Sequence, residues 1–376
     1  MISTKRSLSI GIAIGTMLLA GCGREISAPV KEFNLPQAKT AQGNQLRQEL
    51  IDLAKSHAEI DVKNTQMFDF ESGVGFDGTA GEVQLDIGIL DESQHKVRFQ
   101  NGSSLQFHTN QRPLSAQGMN ELATCQPYRQ LKSIAGYSAA QAKITLPISG
   151  DVVGINVDGE GAYNYLGIYS QSGYEQGGYT EAGLFTAKDG TYYAPNTWYA
   201  YTAGGYYIAP NGTKRTGVVA HRDFAYGEPQ GVSPGKTVKI DTRLLSQRNS
   251  IDGIEYYVSN NFSIPGTTYN KNYIRRAGIG SYSNFYVGRT TSYLANTWQS
   301  FDGSKNNYWF EVSIGKFTLW DVMSQQGQYA FEPWTKERTS SGYPYVGNDR
   351  SPCLARFSVD SAGDGYTTDI ISISYF

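Results

Sequence analysis

Ala220-His221-Arg222-Asp223-Phe224-Ala225-Tyr226-Gly227-Glu228 brings an acid–base group, a cation and two carboxylates into nine consecutive residues. The run overlaps the end of a strand candidate, Val218–His221, and so reaches into a loop, where sites tend to sit. Two chemistries use such groups. Hydrolysis of a polysaccharide needs two convergent carboxylates. A lyase needs a base, with a cation over the uronate carboxylate. His221, Arg222, Asp223 and Glu228 are therefore the catalytic candidates. The alternative is a solvated loop in which Arg222 and Asp223 only pair locally.

A second signal is aromatic. Tyr163, Tyr165, Tyr169, Tyr174, Tyr179, Tyr192, Tyr193, Tyr199, Tyr201, Tyr206 and Tyr207 crowd one stretch of chain. Aromatic faces suit the C–H faces of pyranose rings, while tyrosine is also a good strand residue whose hydroxyl can stay wet. Tyr163, Tyr165, Tyr199, Tyr201 and Tyr226 are the ligand-binding candidates. Other motifs fail on their chemistry. Gly231-Val232-Ser233-Pro234-Gly235 fits G-x-S-x-G, but that elbow needs the N–H of the residue after serine, and Pro234 has none. It reads instead as a turn into a strand from Lys236 to Ile240. Asp360, Asp364 and Gly365 are spaced like part of a calcium loop, with Ala362 and Ile371 where ligands belong. Four scattered histidines and no paired cysteines predict no metal site, and nothing calls for a cofactor.

The elements that would position these residues are mostly strands. The chain has 42 glycines and 27 tyrosines with only 18% charged residues, a composition of short strands and tight turns rather than of helices. Leu46, Leu50, Leu53, Ala54 and His57 fall on one helical face. Val83, Leu85, Ile87 and Ile89 alternate as a half-buried strand, and Val97 and Phe99, Asn101-Gly102, then Leu105 and Phe107 predict a hairpin. Beyond residue 135 the pattern is strand after strand. Tyr163, Tyr165 and Gly167 alternate with Asn164, Leu166 and Ile168, which predicts a strand covered on both faces. Near Leu319, Val322 and Met323 a short helix competes. The predicted fold is mainly β: an antiparallel β-sandwich preceded by a small α+β unit.

Lys5 and Arg6 lead into an apolar run from Ser7 to Ala20 that ends Leu19-Ala20-Gly21-Cys22. A basic start, a short apolar core and small residues before a cut site make a secretory signal. All four final positions resemble the lipobox of bacterial lipoproteins. That resemblance implies a signal peptide over 1–21, acylation of Cys22 and a membrane partner reached through the N-terminal lipid. The location would be the extracytoplasmic cell envelope, and the outer membrane in a Gram-negative cell, since Gly23 stands where an aspartate commonly marks inner-membrane retention. Residues 22–45 read as a tether, 46–135 as the α+β unit and 136–376 as the sandwich body. Cys125 and Cys353 remain, in a compartment that permits disulfides. A bond between them would remove about 5 kcal/mol of unfolded-state entropy, and two separate buried thiols are the alternative.

In size and texture the body resembles concanavalin-A-like jelly rolls. Gly178–Phe185 resembles a strand motif of jelly-roll alginate lyases, with Glu181 in place of lysine and with the segment before the histidine rather than after it. These resemblances imply a polysaccharide partner. The absence of an E-x-D-x-x-E run favours binding over hydrolysis. Glycan binding at the cell surface is the leading expectation, a lyase or hydrolase the second, and a structural or assembly role the third. With 32 Lys plus Arg against 34 Asp plus Glu, no electrostatic footprint for nucleic acid exists.

Overall fold

The structure, a computed structural model, describes residues 33–69, 72–84, 88–91, 96–99, 104–106, 127–147, 161–170, 179–187, 197–204, 207–208, 214–215, 231–250, 253–277, 285–294, 308–321, 326–348 and 357–375. Met1–Asn34 and Leu35–Phe376 are two compact units. All the described secondary structure belongs to the second. No described helix is long and apolar enough to cross a membrane.

Among the described residues there is one α-helix, α1 (Ala41–Ser56). Thr40 caps it, its side chain accepting from the Gly43 N–H at 3.0 Å, which satisfies one of the free donors of the first turn. Leu46, Leu50, Leu53 and Ala54 are buried on one face as their spacing predicts, and His57 follows as a buried C-cap.

The first strands in chain order are β1 (Thr65–Asp69), β2 (Val74–Asp77), β3 (Gly81–Gln84), β4 (Gly88–Asp91), β5 (Lys96–Phe99) and β6 (Ser104–Gln106). There follow β7 (Pro127–Lys132), β8 (Tyr137–Thr145), β9 (Gly161–Ser170), β10 (Tyr179–Ala187), β11 (Tyr199–Gly204), β12 (Tyr207–Ile208) and β13 (Lys214–Arg215). The chain continues with β14 (Thr237–Ser250), β15 (Gly253–Ser263), β16 (Asn270–Ala277), β17 (Phe285–Leu294) and β18 (Tyr308–Asp321). The last are β19 (Gln326–Pro333), β20 (Tyr345–Asn348), β21 (Phe357–Gly363) and β22 (Thr368–Tyr375).

The eleven-stranded sheet runs β21-β22-β18-β19-β14-β15-β16-β1-β2-β3, with β8 pairing both β14 and β18. The six-stranded sheet runs β11-β10-β9-β17-β7-β20. Both are antiparallel except where β1 lies parallel to β16. Apolar side chains from both sheets, among them Ile144, Ile240 and Phe310 from one and Leu131, Leu166, Leu184 and Val287 from the other, form one core. This is the mainly β, antiparallel sandwich that composition and alternation predict.

Three details differ from the local reading or refine it. The expected boundary after residue 135 falls inside the second unit, because β1 to β3 extend the large sheet through the β1–β16 pair. At Leu319 the strand wins over the helix, since β18 runs to Asp321 and pairs along β19 past a bulge. The strands of the expected hairpin pair as β5 and β6, with Val97 opposite Leu105, while Asn101-Gly102 lies outside the described residues.

Charged ties cross between the sheets. Arg129 and Arg289 of the small sheet both donate to Asp369 Oδ2 of the large one, with Arg129 Nε at 3.0 Å. The carboxylate is fully buried. Arg275 of β16 reaches across to Thr180 Oγ1 at 2.5 Å and to the Ala203 carbonyl. It passes where a Cβ on Gly204 would stand 2.3 Å from its guanidinium, and burial lowers its pKa.

Candidate functional site

Strand alternation sorts the small sheet into two faces. Leu131, Leu166, Leu184 and Val287 face the core, so their odd–even partners form the opposite face. On that face the registers align Tyr345, Gln130, Thr290, Tyr165, Gly183 and Tyr201 in one row. Tyr128, Ser292, Tyr163, Phe185 and Tyr199 form the next. On the other side lies Lys132, Gly288, Gly167, Glu181 and Ala203, and beyond it Tyr286, Tyr169 and Tyr179.

Four of the tyrosines singled out in the sequence, Tyr163, Tyr165, Tyr199 and Tyr201, therefore share one face. They are also buried, at 5%, 3%, 2% and 1% exposure. Tyr163 stacks on Phe185 at 6.3 Å, and Tyr165 and Phe185 both meet Tyr201 edge-on. Burial pushes the Tyr201 hydroxyl well above its ordinary pKa, and the charge of Glu181 adds to the shift. In this structure these rings meet one another, not solvent.

Glycine shapes the centre of the face. Tyr169 lies flat across the Gly167 and Gly288 positions, where a Cβ would stand 2.3 Å and 2.7 Å from its atoms. Its ring stacks on Tyr286 at 5.2 Å and on Tyr179 at 6.1 Å. Its hydroxyl donates to Glu181 Oε1 at 2.7 Å. Glu181, 1% exposed, is the one carboxylate on this face among the described residues.

Toward β7 and β20 the same face opens. Tyr345 is 47% exposed, and Tyr128, Lys132, Tyr286 and Tyr343 are partly exposed. Tyr345 packs against Tyr128 at 5.8 Å and against Tyr343 at 6.4 Å. The Lys132 ammonium sits 3.8 Å from the Tyr286 ring centroid, a cation–π contact. Burial, then the neighbouring Tyr343 and Glu181, raise the Tyr286 hydroxyl to about 12. Among the described residues, the site is an aromatic platform carrying one cation, Lys132.

Sequence reading missed Tyr128, Tyr286, Tyr343 and Tyr345. They come from three separate stretches of chain, around Tyr128, Tyr286 and the Tyr343–Tyr345 pair, and only the β9–β17–β7–β20 pairing order gathers them. His221, Arg222, Asp223, Tyr226 and Glu228 lie outside the described residues, as do Cys22, Cys125 and Cys353. Gly231–Gly235 is a turn, with Val232 bridging Trp198 and Gly235 N–H donating to the Pro147 carbonyl before β14 begins. Asp364 spends Oδ1 on the N–H groups of Tyr366 and Thr368, each at 2.8 Å, which makes that loop a turn. No group of three or more His, Cys, Asp or Glu side chains able to hold a metal occurs among the described residues.

A concavity of about 360 Å³ lies on the large sheet, lined by residues including Gln141, Lys143, Lys239, Glu311, Phe331 and Glu332. Its charges are mostly spent on neighbours: Lys143 on Glu311, Glu332 on Arg338 and Tyr137. Its one ring, Phe331, lies under the Arg243 guanidinium. The tyrosine face is the better equipped of the two for a planar ligand.

No protein-family model matches the chain, and no curated protein is similar to it. Among solved structures it is similar to scytalido-glutamic peptidase with a transition state analog inhibitor. That match has 9% identity and a TM-score of 0.33, over 66% of this chain and 98% of the other. It is also similar to the kappa-carrageenase from Pseudoalteromonas carrageenovora in complex with an oligotetrasaccharide of kappa-carrageenan. Here identity is 9% and the TM-score 0.26, over 66% of this chain and 79% of the other. Neither likeness carries an inference about activity.

Proposed function

We propose that the protein is a lipid-anchored, extracytoplasmic envelope protein that binds a glycan on the tyrosine platform of its small sheet. One observation carries the binding reading: on the partly open end of this face Tyr128 and Tyr343 pack against Tyr345, and Lys132 sits over the Tyr286 ring. Sugar rings offer apolar C–H faces to such rings, and Lys132 and Gln130 supply polar contacts beside them. Binding is favoured over hydrolysis because the face carries one described carboxylate, Glu181, where hydrolysis needs two. The anchor reading rests on the Leu19-Ala20-Gly21-Cys22 sequence.

Affinity electrophoresis of the full chain through gels cast with a panel of polysaccharides tests the binding. Tyr345→Ala and Tyr286→Ala are each expected to weaken retardation by about 1–3 kcal/mol, on the scale of aromatic stacking with bases. Migration unaffected by every polysaccharide, with none cleaved, overturns the reading and leaves an assembly role. Cleavage that His221→Ala or Asp223→Asn abolishes would establish the enzyme instead. For the anchor, Cys22→Ser is expected to release the protein from membranes or leave it uncut. A mature wild-type start at an unmodified residue beyond Cys22, seen by mass spectrometry, refutes it.

A further inference from the structure

We propose that the ligand of the tyrosine platform is an anionic glycan, whose carboxylate or sulfate substituent is bound by Lys132 while its sugar ring stacks on the adjoining tyrosines. This rests on the glycan-binding reading above and goes beyond it by naming the charge of the ligand.

Among the described residues Lys132 is a cation without a counter-charge. Its ammonium lies 3.8 Å from the Tyr286 ring centroid, and it forms no ion pair among the described residues. Its cross-strand neighbour is Gly288, so no side chain there shields it. Glu181 shares its row, but three strand spacings away, about 14 Å, and Tyr169 fills the space between.

The segment after β19 adjoins the end of β7 through Ile134 N–H to the Arg338 carbonyl and Ser340 N–H to the Lys132 carbonyl. Its own charges do not supply a partner. Arg338 is bound to Glu332 at 2.8 Å, and the Glu337 carboxyl is held down in pKa by its bond from Thr335. Lys336 adds a second positive charge. Partial burial lowers the Lys132 pKa. An ammonium kept half out of water beside aromatic rings gains more from an anion than a fully solvated one does. A bound anion also raises the pKa of its lysine, so affinity should fall as pH rises through the Lys132 titration.

The test is affinity electrophoresis of the full chain against polygalacturonate, dextran sulfate, neutral dextran and, as a non-sugar anion, polyphosphate. The expected result is retardation by one or both acidic polysaccharides well above that by dextran and by polyphosphate. Lys132→Gln should reduce acidic-glycan affinity by about tenfold or more and remove the preference over dextran. Lys132→Arg should keep the preference, which guards against misfolding as the cause. Tyr345→Ala should weaken every polysaccharide alike.

The sulfated and carboxylated arms identify which substituent is read. Dextran binding as tightly as the acidic polymers overturns this inference alone, as does a preference unchanged in Lys132→Gln. Equal retardation by polyphosphate overturns it too, by showing charge capture without a sugar. Retardation by none of the four overturns the inference together with the glycan reading beneath it.

Discussion

Gly167→Ala should be among the most damaging one-methyl changes in this chain. A Cβ at that position would stand 2.3 Å from the Tyr169 hydroxyl oxygen, 2.4 Å from Cζ and 2.5 Å from Cε2. No small adjustment relieves three such contacts, so the ring must leave. Its departure breaks the 2.7 Å bond to Glu181 and both stacks, on Tyr286 and Tyr179. A lost hydrogen bond to a buried carboxylate costs about 1.5–3 kcal/mol, and each aromatic pair about 0.5–1.5 kcal/mol. One ring movement causes all of these losses, so they overlap. The expected cost is about 3–5 kcal/mol, within the range of severe core changes. Urea unfolding of the full chain, read by tyrosine and tryptophan fluorescence, measures it as a lower midpoint at unchanged slope. Gly288→Ala, with 2.7 Å to Tyr169 Cε2, should cost less. The reasoning makes a sharper demand through a double-mutant cycle. In a Tyr169→Ala background, Gly167→Ala should cost little, because the colliding ring is gone. An undiminished penalty in that background would refute the account, as would a Gly167→Ala protein as stable as the wild type.

Asp369→Ala should destabilise by about 3–5 kcal/mol, because it strands Arg129 and Arg289, whose side chains are 7% and 1% exposed, without a counter-charge. A denaturation midpoint within error of wild type would show that the guanidinium groups find other partners. The acid limb of stability should include Glu59, whose carboxyl is lowered from 4.5 to about 2, chiefly by its pairing with His57, whose Nδ1 lies 3.6 Å from Oε1. Its folded pKa lies below its unfolded one, so its contribution is present above about pH 4.5 and lost as pH falls toward 2. Glu59→Gln should flatten the stability curve over that window. An identical slope in wild type and variant would argue against the pairing.

Much of the local structure follows from periods that neighbouring residues reveal. Leu46, Leu50, Leu53 and Ala54 specify a helical face because 3.6 residues complete a turn. Tyr163, Tyr165, Gly167 and Tyr169 share a face of β9 because side chains alternate along a strand. The burial of both faces of β9 was legible as well, since Leu166 and Ile168 are apolar between those tyrosines. Periodicity says nothing, however, about which strands become neighbours. Thr65 pairs with Asn272, Tyr128 lies beside Tyr345, and Arg129 meets Asp369. Each of these contacts joins residues more than two hundred positions apart, and each depends on the sheet order that the common core selects. That order also decides which rings of the tyrosine face are covered and which stay partly open. Tyr201 lies in β11, four strands along the sheet from Lys132 in β7, and is 1% exposed; Tyr345, on the last strand at the opposite edge, is 47% exposed. The sequence alone therefore marked tyrosines as residues to watch. Only the assembled sheet set Lys132 over Tyr286 and Tyr169 over two glycines, because ring position depends on pairing across strands rather than on spacing within one.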